Sequence, residues 1–156
     1  MRVYLSLIFG MALATAAPHN AAAEIPIGFA NPLTGAFAQS GERYRIATEM
    51  AIEDLNARGG VLGQQVKLIV ADDGCGMQRA MDAARTLVEA GVSFVVGHAC
   101  SHSSLLAAGI YETADVLMIT PSSTHPRLTE EGRQNVFRLI GRDDDQGRLA
   151  GGYPGP

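Results

Sequence analysis

The residues of this chain that could do chemistry gather in a few short loops: Asp72-Asp73-Gly74-Cys75-Gly76, His98-Ala99-Cys100-Ser101-His102, and Pro121-Ser122-Ser123-Thr124. Hydroxyls both donate and accept hydrogen bonds. Thr124 can therefore donate to a carboxylate or accept from an ammonium. Ser101, with Ser103 and Ser104 beside it, falls where an apolar run gives way to a helical pattern. A serine there caps the helix, which is worth about 1 kcal/mol, or it stands at a helix N-terminus whose free amides favour an anion; the sequence leaves both roles open. Ser122, Ser123 and Thr124 follow a buried-looking strand with no helix start to absorb them, which favours ligand contact. A positioned general base or nucleophile is missing from these loops apart from His98 and His102, so the set suits capture of a polar molecule rather than catalysis.

Other chemistries lose their carriers. Gly74-Cys75-Gly76 sits between a strand and a helix, as a dinucleotide fingerprint would, but the third glycine position holds Arg79, which would crowd the helix against the sheet. The chain contains no Gly-x4-Gly-Lys-Ser/Thr stretch and no Gly-x-Ser-x-Gly elbow. Cys75, His98, Cys100 and His102 are zinc-ligand types without the spacing of a known finger. Asp72-Asp73 reads as a solvated strand end, and Asp143-Asp144-Asp145 as an acidic first helical turn; neither needs a cation. No cofactor or metal is expected. Sixteen Asp and Glu against 12 Lys and Arg leave no basic footprint for nucleic acid or a membrane surface.

The elements that must position these loops alternate. Apolar runs at residues 25–30, 66–71, 94–97, 116–120 and 136–139 read as strands, and helical patterns at residues 44–55, 77–90 and 103–114 separate the first four. In the first helix Ile46, Ala47, Met50, Ala51 and Leu55 share a face, and Gly59-Gly60 provides a left-handed stop. In the second, Ala80, Ala84, Leu87 and Val88 share a face. A further helix starts at Asp143 and is expected to stop almost at once, because Gly151-Gly152-Tyr153-Pro154-Gly155-Pro156 forbids continuation. Alternating strands and helices imply right-handed crossovers and an α/β fold: a doubly wound parallel sheet in a three-layer α/β/α arrangement. In such sheets ligands sit beyond the carboxyl ends of the strands, where these loops converge.

Residues 1–23 read as a secretory signal, with Arg2, an apolar stretch too short for a comfortable membrane span, and Ala21-Ala22-Ala23 ahead of Glu24. Export favours pairing of Cys75 with Cys100. Each closely follows a strand, so a bridge would tie two loops at one sheet end and stabilise by about 3 kcal/mol in the chain-entropy model. The expected organisation is a signal at 1–23, a ligand-binding lobe at 24–150 and an irregular tail at 151–156.

The series Asn31-Pro32-Leu33-Thr34-Gly35, Ala51-Ile52-Glu53-Asp54-Leu55-Asn56-Ala57-Arg58-Gly59-Gly60, Asp72-Asp73-Gly74-Cys75, Val96-Gly97-His98-Ala99-Cys100-Ser101, Met118-Ile119-Thr120-Pro121-Ser122-Ser123-Thr124 and Asp144-Asp145-Gln146-Gly147 resembles the periplasmic solute-binding proteins of branched-chain amino-acid ABC transporters. The resemblance implies a type I periplasmic-binding fold of two lobes, of which this chain holds the first, N-terminal one. It also implies an amino-acid ligand, a membrane permease as partner, a periplasmic location and a monomer. The amino-acid backbone would meet Ser101, the Ser122 backbone and Thr124, with Cys75 bridged to Cys100. Ser40 stands where the family commonly has a large aromatic and Ala99 where it has a bulkier aliphatic, which implies a roomier pocket and a larger or more polar ligand. A sensor of the same fold, an exported enzyme on a related scaffold, or a fragment without function are the alternatives.

Overall fold

The structure, a computed structural model, describes residues 24–131 and 133–152. The expected export signal and the last four residues lie outside them. Five strands form where the apolar runs predict them: β1 (Ile25–Asn31), β2 (Val66–Asp72), β3 (Phe94–Gly97), β4 (Leu117–Thr120) and β5 (Val136–Arg138). They make one sheet in the order β2-β1-β3-β4-β5, every pairing parallel. Three long helices cross between the first four: α1 (Ala38–Ala57), α2 (Met77–Glu89) and α3 (Ser101–Thr113). A short α4 (Arg127–Glu130), which the apolar pattern does not announce, precedes β5, and α5 (Asp143–Gly151) follows it.

Three differences from the sequence reading have physical causes. Helix α1 begins at Ala38, well before Tyr44, although Ser40 and Gly41 are poor helix formers. Tertiary packing overrides that preference: a Cβ on Gly41 would lie 1.8 Å from the Pro32 carbonyl oxygen, so only glycine lets the first turn of α1 rest on the loop after β1. Helix α3 begins at Ser101, with Cys100 as its cap residue and no side-chain cap bond. Ser101 is thus inside the first turn and is not the cap. Helix α5 runs nine residues to Gly151, further than expected, with Asp143, Asp144 and Asp145 in its first turn as predicted.

The end of α1 illustrates how short-range signals and tertiary contacts combine. Gly59 and Gly60 take positive φ of 99° and 76°, and the Gly60 N–H reaches back to the Leu55 carbonyl, a glycine stop of the expected kind. Asn56 then clips the helix to the sheet edge: its amide donates to the Val66 carbonyl (2.8 Å) and its oxygen accepts the Val66 N–H (2.7 Å).

Side chains alternate between the two sheet faces along each strand. Val95, Met118 and Val136 point to the face under α2 and α3 and pack with Ala83, Ala84, Leu87, Ala107, Ala108 and Tyr111 into one buried core. The opposite face carries Val96, Ile119 and Phe137 and has α1 on it.

Candidate functional site

The loops singled out in the sequence meet at the carboxyl edge of the sheet. Asn31, at the end of β1 and fully buried, donates from its amide to the Val96 carbonyl (3.0 Å), which ties the ends of β1 and β3 together. The Cys75–Cys100 disulfide joins the β2–α2 loop to the β3–α3 loop, with 5.6 Å between the Cα atoms, inside the range that bridges permit.

Helix α3 leads away from this edge. Its first backbone bond runs from the Ser104 N–H to the Cys100 carbonyl, and the N–H groups of the preceding turn have no intrahelical partner. They form a donor cluster of the kind that binds carboxylates. Ser101 is half-buried, and its hydroxyl accepts a long bond from the His125 N–H (3.4 Å). Thr124 and Ser122 are half-buried beside it, and Ala99 is half-buried in the facing loop. Ser40 lies exposed in the first turn of α1.

Ser123 does not have the role expected of it. It is fully buried, and its hydroxyl is turned inward, 2.7 Å from the Ser104 hydroxyl and 3.0 Å from the His98 carbonyl. The reason lies in the turn after β4, where Thr120 Oγ1 accepts the Ser123 N–H (3.0 Å) and folds the segment back on itself. The Ser122 hydroxyl is likewise engaged, donating to the Ala99 carbonyl (3.0 Å). Of the three hydroxyls after Pro121, that of Thr124 makes no hydrogen bond among the described residues, while the Ser122 N–H makes a long one to Thr120 Oγ1 (3.4 Å).

These bonds share a target. The His98 carbonyl accepts from Thr120 Oγ1 (2.6 Å), Ser104 Oγ (2.9 Å) and Ser123 Oγ. The small hydroxyl residues after β4 therefore fasten the 98–99 segment in place, one layer beneath the surface that a ligand would touch.

Two further residues prove central. His98 and Asp73 are both fully buried, so Asp73 is not a solvated strand end. Asp73 Oδ2 lies 2.6 Å from His98 Nδ1, and His98 Nε2 lies 3.2 Å from the Tyr111 hydroxyl. Burial, and then the charge of Asp73, push the Tyr111 phenol far above its ordinary range, so it stays protonated. The His98 ring thus bridges the Asp73 carboxylate and the Tyr111 hydroxyl. Nothing in the local sequence distinguishes these residues from surface polar groups; the signal is that both flank a cysteine.

Asp72, next in the chain, faces outward. Burial raises its carboxyl, but bonds from the Thr34 hydroxyl and the Leu33 and Gly74 N–H groups, with the Arg79 guanidinium beside it, outweigh burial and bring its pKa down to about 2. Arg79, which spoils the dinucleotide fingerprint, here pins α2 to the end of β2. Among the described residues, no group of three or more His, Cys, Asp or Glu is placed to hold a metal ion, and both thiols are taken up by the disulfide.

A parallel five-stranded sheet with its polar loops on the carboxyl edge and a helix N-terminus opening there is an architecture in which ligands sit beyond the strand ends. The family model of periplasmic binding proteins matches residues 24–154, and the chain belongs to that family. It is similar to the "leucine-, isoleucine-, valine-, threonine-, and alanine-binding protein" of Pseudomonas aeruginosa, with 46% identity over 151 residues that cover 96% of this chain and 40% of the relative. Among solved structures it is similar to the branched-chain amino acid transporter substrate binding protein LivJ of Streptococcus pneumoniae, in complex with isoleucine (TM-score 0.74, 30% identity, 78% of this chain and 35% of that one). A Desulfitobacterium hafniense ABC transporter substrate-binding protein in complex with Leu gives TM-score 0.73 at 36% identity, over 82% of this chain and 37% of that one. The fold is thus the type I periplasmic-binding fold. The chain spans 36–40% of the length of the first two curated relatives, which fits a single lobe.

Proposed function

We propose that this chain forms the N-terminal lobe of an exported solute-binding protein that captures an amino acid, branched-chain or related, and delivers it to the membrane permease of an ABC importer. The observation that carries this reading is the N-terminus of α3 opening beside Ser101, Ser122 and Thr124 at the carboxyl edge of a parallel sheet. Unpaired amides there suit a carboxylate, and the adjacent hydroxyls suit either end of an amino acid. The names of the relatives, which specify aliphatic amino acids and threonine, agree with that chemistry. The family is one of solute-binding proteins. Export through residues 1–23 and a periplasmic location follow from the same reading.

A single lobe binds weakly. A few half-exposed hydrogen bonds, each worth about 0.5–1.5 kcal/mol net, must offset the entropy of association, and closure by a second lobe would exclude water and strengthen each bond. Titration of the ¹⁵N-labelled chain with L-leucine, L-isoleucine and larger amino acids tests this. The amides of Ser101, Ser122 and Thr124 should shift and approach saturation only at millimolar ligand. A micromolar dissociation constant would overturn the single-lobe estimate. Shifts confined to residues far from the sheet edge, or equal shifts with glucose, would overturn the amino-acid reading. The open positions at Ser40 and Ala99 favour larger or more polar amino acids over leucine; equal or tighter leucine binding would remove that refinement.

A further inference from the structure

The β2–α2 and β3–α3 loops are joined twice, once covalently and once by the buried pair. Cys75 stands two residues after Asp73, and Cys100 two residues after His98. The carboxylate of Asp73 serves both loops at once: Oδ1 accepts the Cys75 N–H (2.8 Å) and Oδ2 meets His98 Nδ1 (2.6 Å). We propose that Asp73 and His98 are the positioning residues of this edge: they bring Cys75 and Cys100 together in the folded chain before the bridge forms, so that the disulfide records the loop geometry and does not create it.

The backbone of Cys75 shows why a separate hold is needed. Its φ is 58°, following Gly74 at 52°, and the left-handed conformation costs a non-glycine residue about 1–2 kcal/mol. The bond from its N–H to Asp73 opposes that cost directly. Asp73 itself is fully buried, where a carboxylate without partners is strongly disfavoured, and among the described residues its side-chain partners are the His98 ring and the Cys75 N–H. The His98 ring is held from behind by Tyr111, and its carbonyl by Thr120, Ser104 and Ser123. The Cys75 N–H, the Asp73 carboxylate, the His98 ring and the carbonyls of His98 and Ala99 are therefore held by bonds that do not involve the sulfurs.

The inference does not depend on which ligand binds. Its test is the equilibrium between the purified chain and glutathione, in which the two thiols yield two protons and two electrons to oxidised glutathione and return a protein disulfide with two reduced glutathiones. The equilibrium constant is the effective concentration of one cysteine at the other. His98→Leu should lower it by about tenfold or more, equivalent to about 30 mV. His98→Asn places an amide donor near the position of Nδ1 and should restore it to within about threefold of wild type, because the bond to Asp73 is the element that matters. Leu87→Ala weakens the core beneath α2 without touching either loop; chosen for a comparable loss of Tm, it should leave the equilibrium within about 1.5-fold. If the leucine variant proves unable to fold, Tyr111→Phe removes only the rear hydroxyl and should still lower the constant by about threefold, the size of a weak neutral hydrogen bond. An unchanged constant in folded His98→Leu or Tyr111→Phe, or an equal fall in Leu87→Ala, would overturn the proposal. In the Cys75→Ser/Cys100→Ser double variant the amide signals of Asp73 and Ala99 should stay near their wild-type positions; their collapse to random-coil values would overturn it as well.

Discussion

The two faces of the sheet are covered unequally. Under α2 and α3, Val95, Met118, Leu87, Ala107, Ala108 and Tyr111 have no exposed surface at all. On the side of α1, Phe137 remains 49% exposed, Met50 64% and Leu139 77%, and Val96, Pro121 and Leu139 line an apolar groove with Tyr44, Ala47 and Ala51. Both faces are written in the same alternating apolar code, yet among the described residues only one is sealed. Hydrophobic patterning prescribes which side of an element seeks cover; whether cover arrives depends on how many helices land on that side. Here α2, α3 and the short α4, whose Leu128 joins the core, land on one face and α1 on the other.

The comparison breaks first at the core. Leu87→Ala should cost about 2–5 kcal/mol, read by urea unfolding, whereas Leu139→Ser on the open face should change stability by no more than about 0.5 kcal/mol; similar losses would mean that the faces are equivalent. Next is association. Exposed apolar surface of this kind favours self-contact, so the chain should show concentration-dependent sedimentation and bind a hydrophobic dye, and Phe137→Lys with Leu139→Lys should abolish most of both. Persistence of both in that double variant would place the sticky surface elsewhere.

A smaller effect tests the strap between α2 and the sealed face. The carboxyl of Asp72 lies at about 2 in the folded chain against its ordinary 3.8, so its stabilisation is complete above about pH 4 and is lost as the pH falls through about 2. Allowing for the half-exposed Arg79, that amounts to about 1–2 kcal/mol. Asp72→Asn should lose this increment at pH 7 and flatten the acid limb of the stability curve; an unaltered acid limb would assign the transition to other carboxylates. Smallest is Ser122→Ala. Loss of its bond to the Ala99 carbonyl should cost about 0.5–1.5 kcal/mol, with little effect on the amide signals of α1, since the loop belongs to the seam between the faces.

Much of this was legible beforehand. The strand runs, the glycine stop after Leu55 and the acidic start of α5 are local signals, and they lie where expected. The early start of α1 was hidden because a buried contact of Gly41 with Pro32 decides it. At the site, the position of Ser101 at the head of α3 was approximately readable, but its place inside the first turn was not, since a cap is settled by one residue's backbone angles. Ser123 misled because a serine that faces ligand and a serine that fastens a loop look alike in sequence.

Sequence by itself determined the alternation of elements, the parallel class of the sheet and the polar character of its carboxyl edge, because these follow from the side-chain period and from short-range backbone preferences. Only the tertiary structure decided that Asp73 and His98 are buried together, that Ser123 turns inward and that one sheet face is left open. Each of those depends on contacts between segments distant in the chain, and a polar residue carries no local mark of the partner that will meet it.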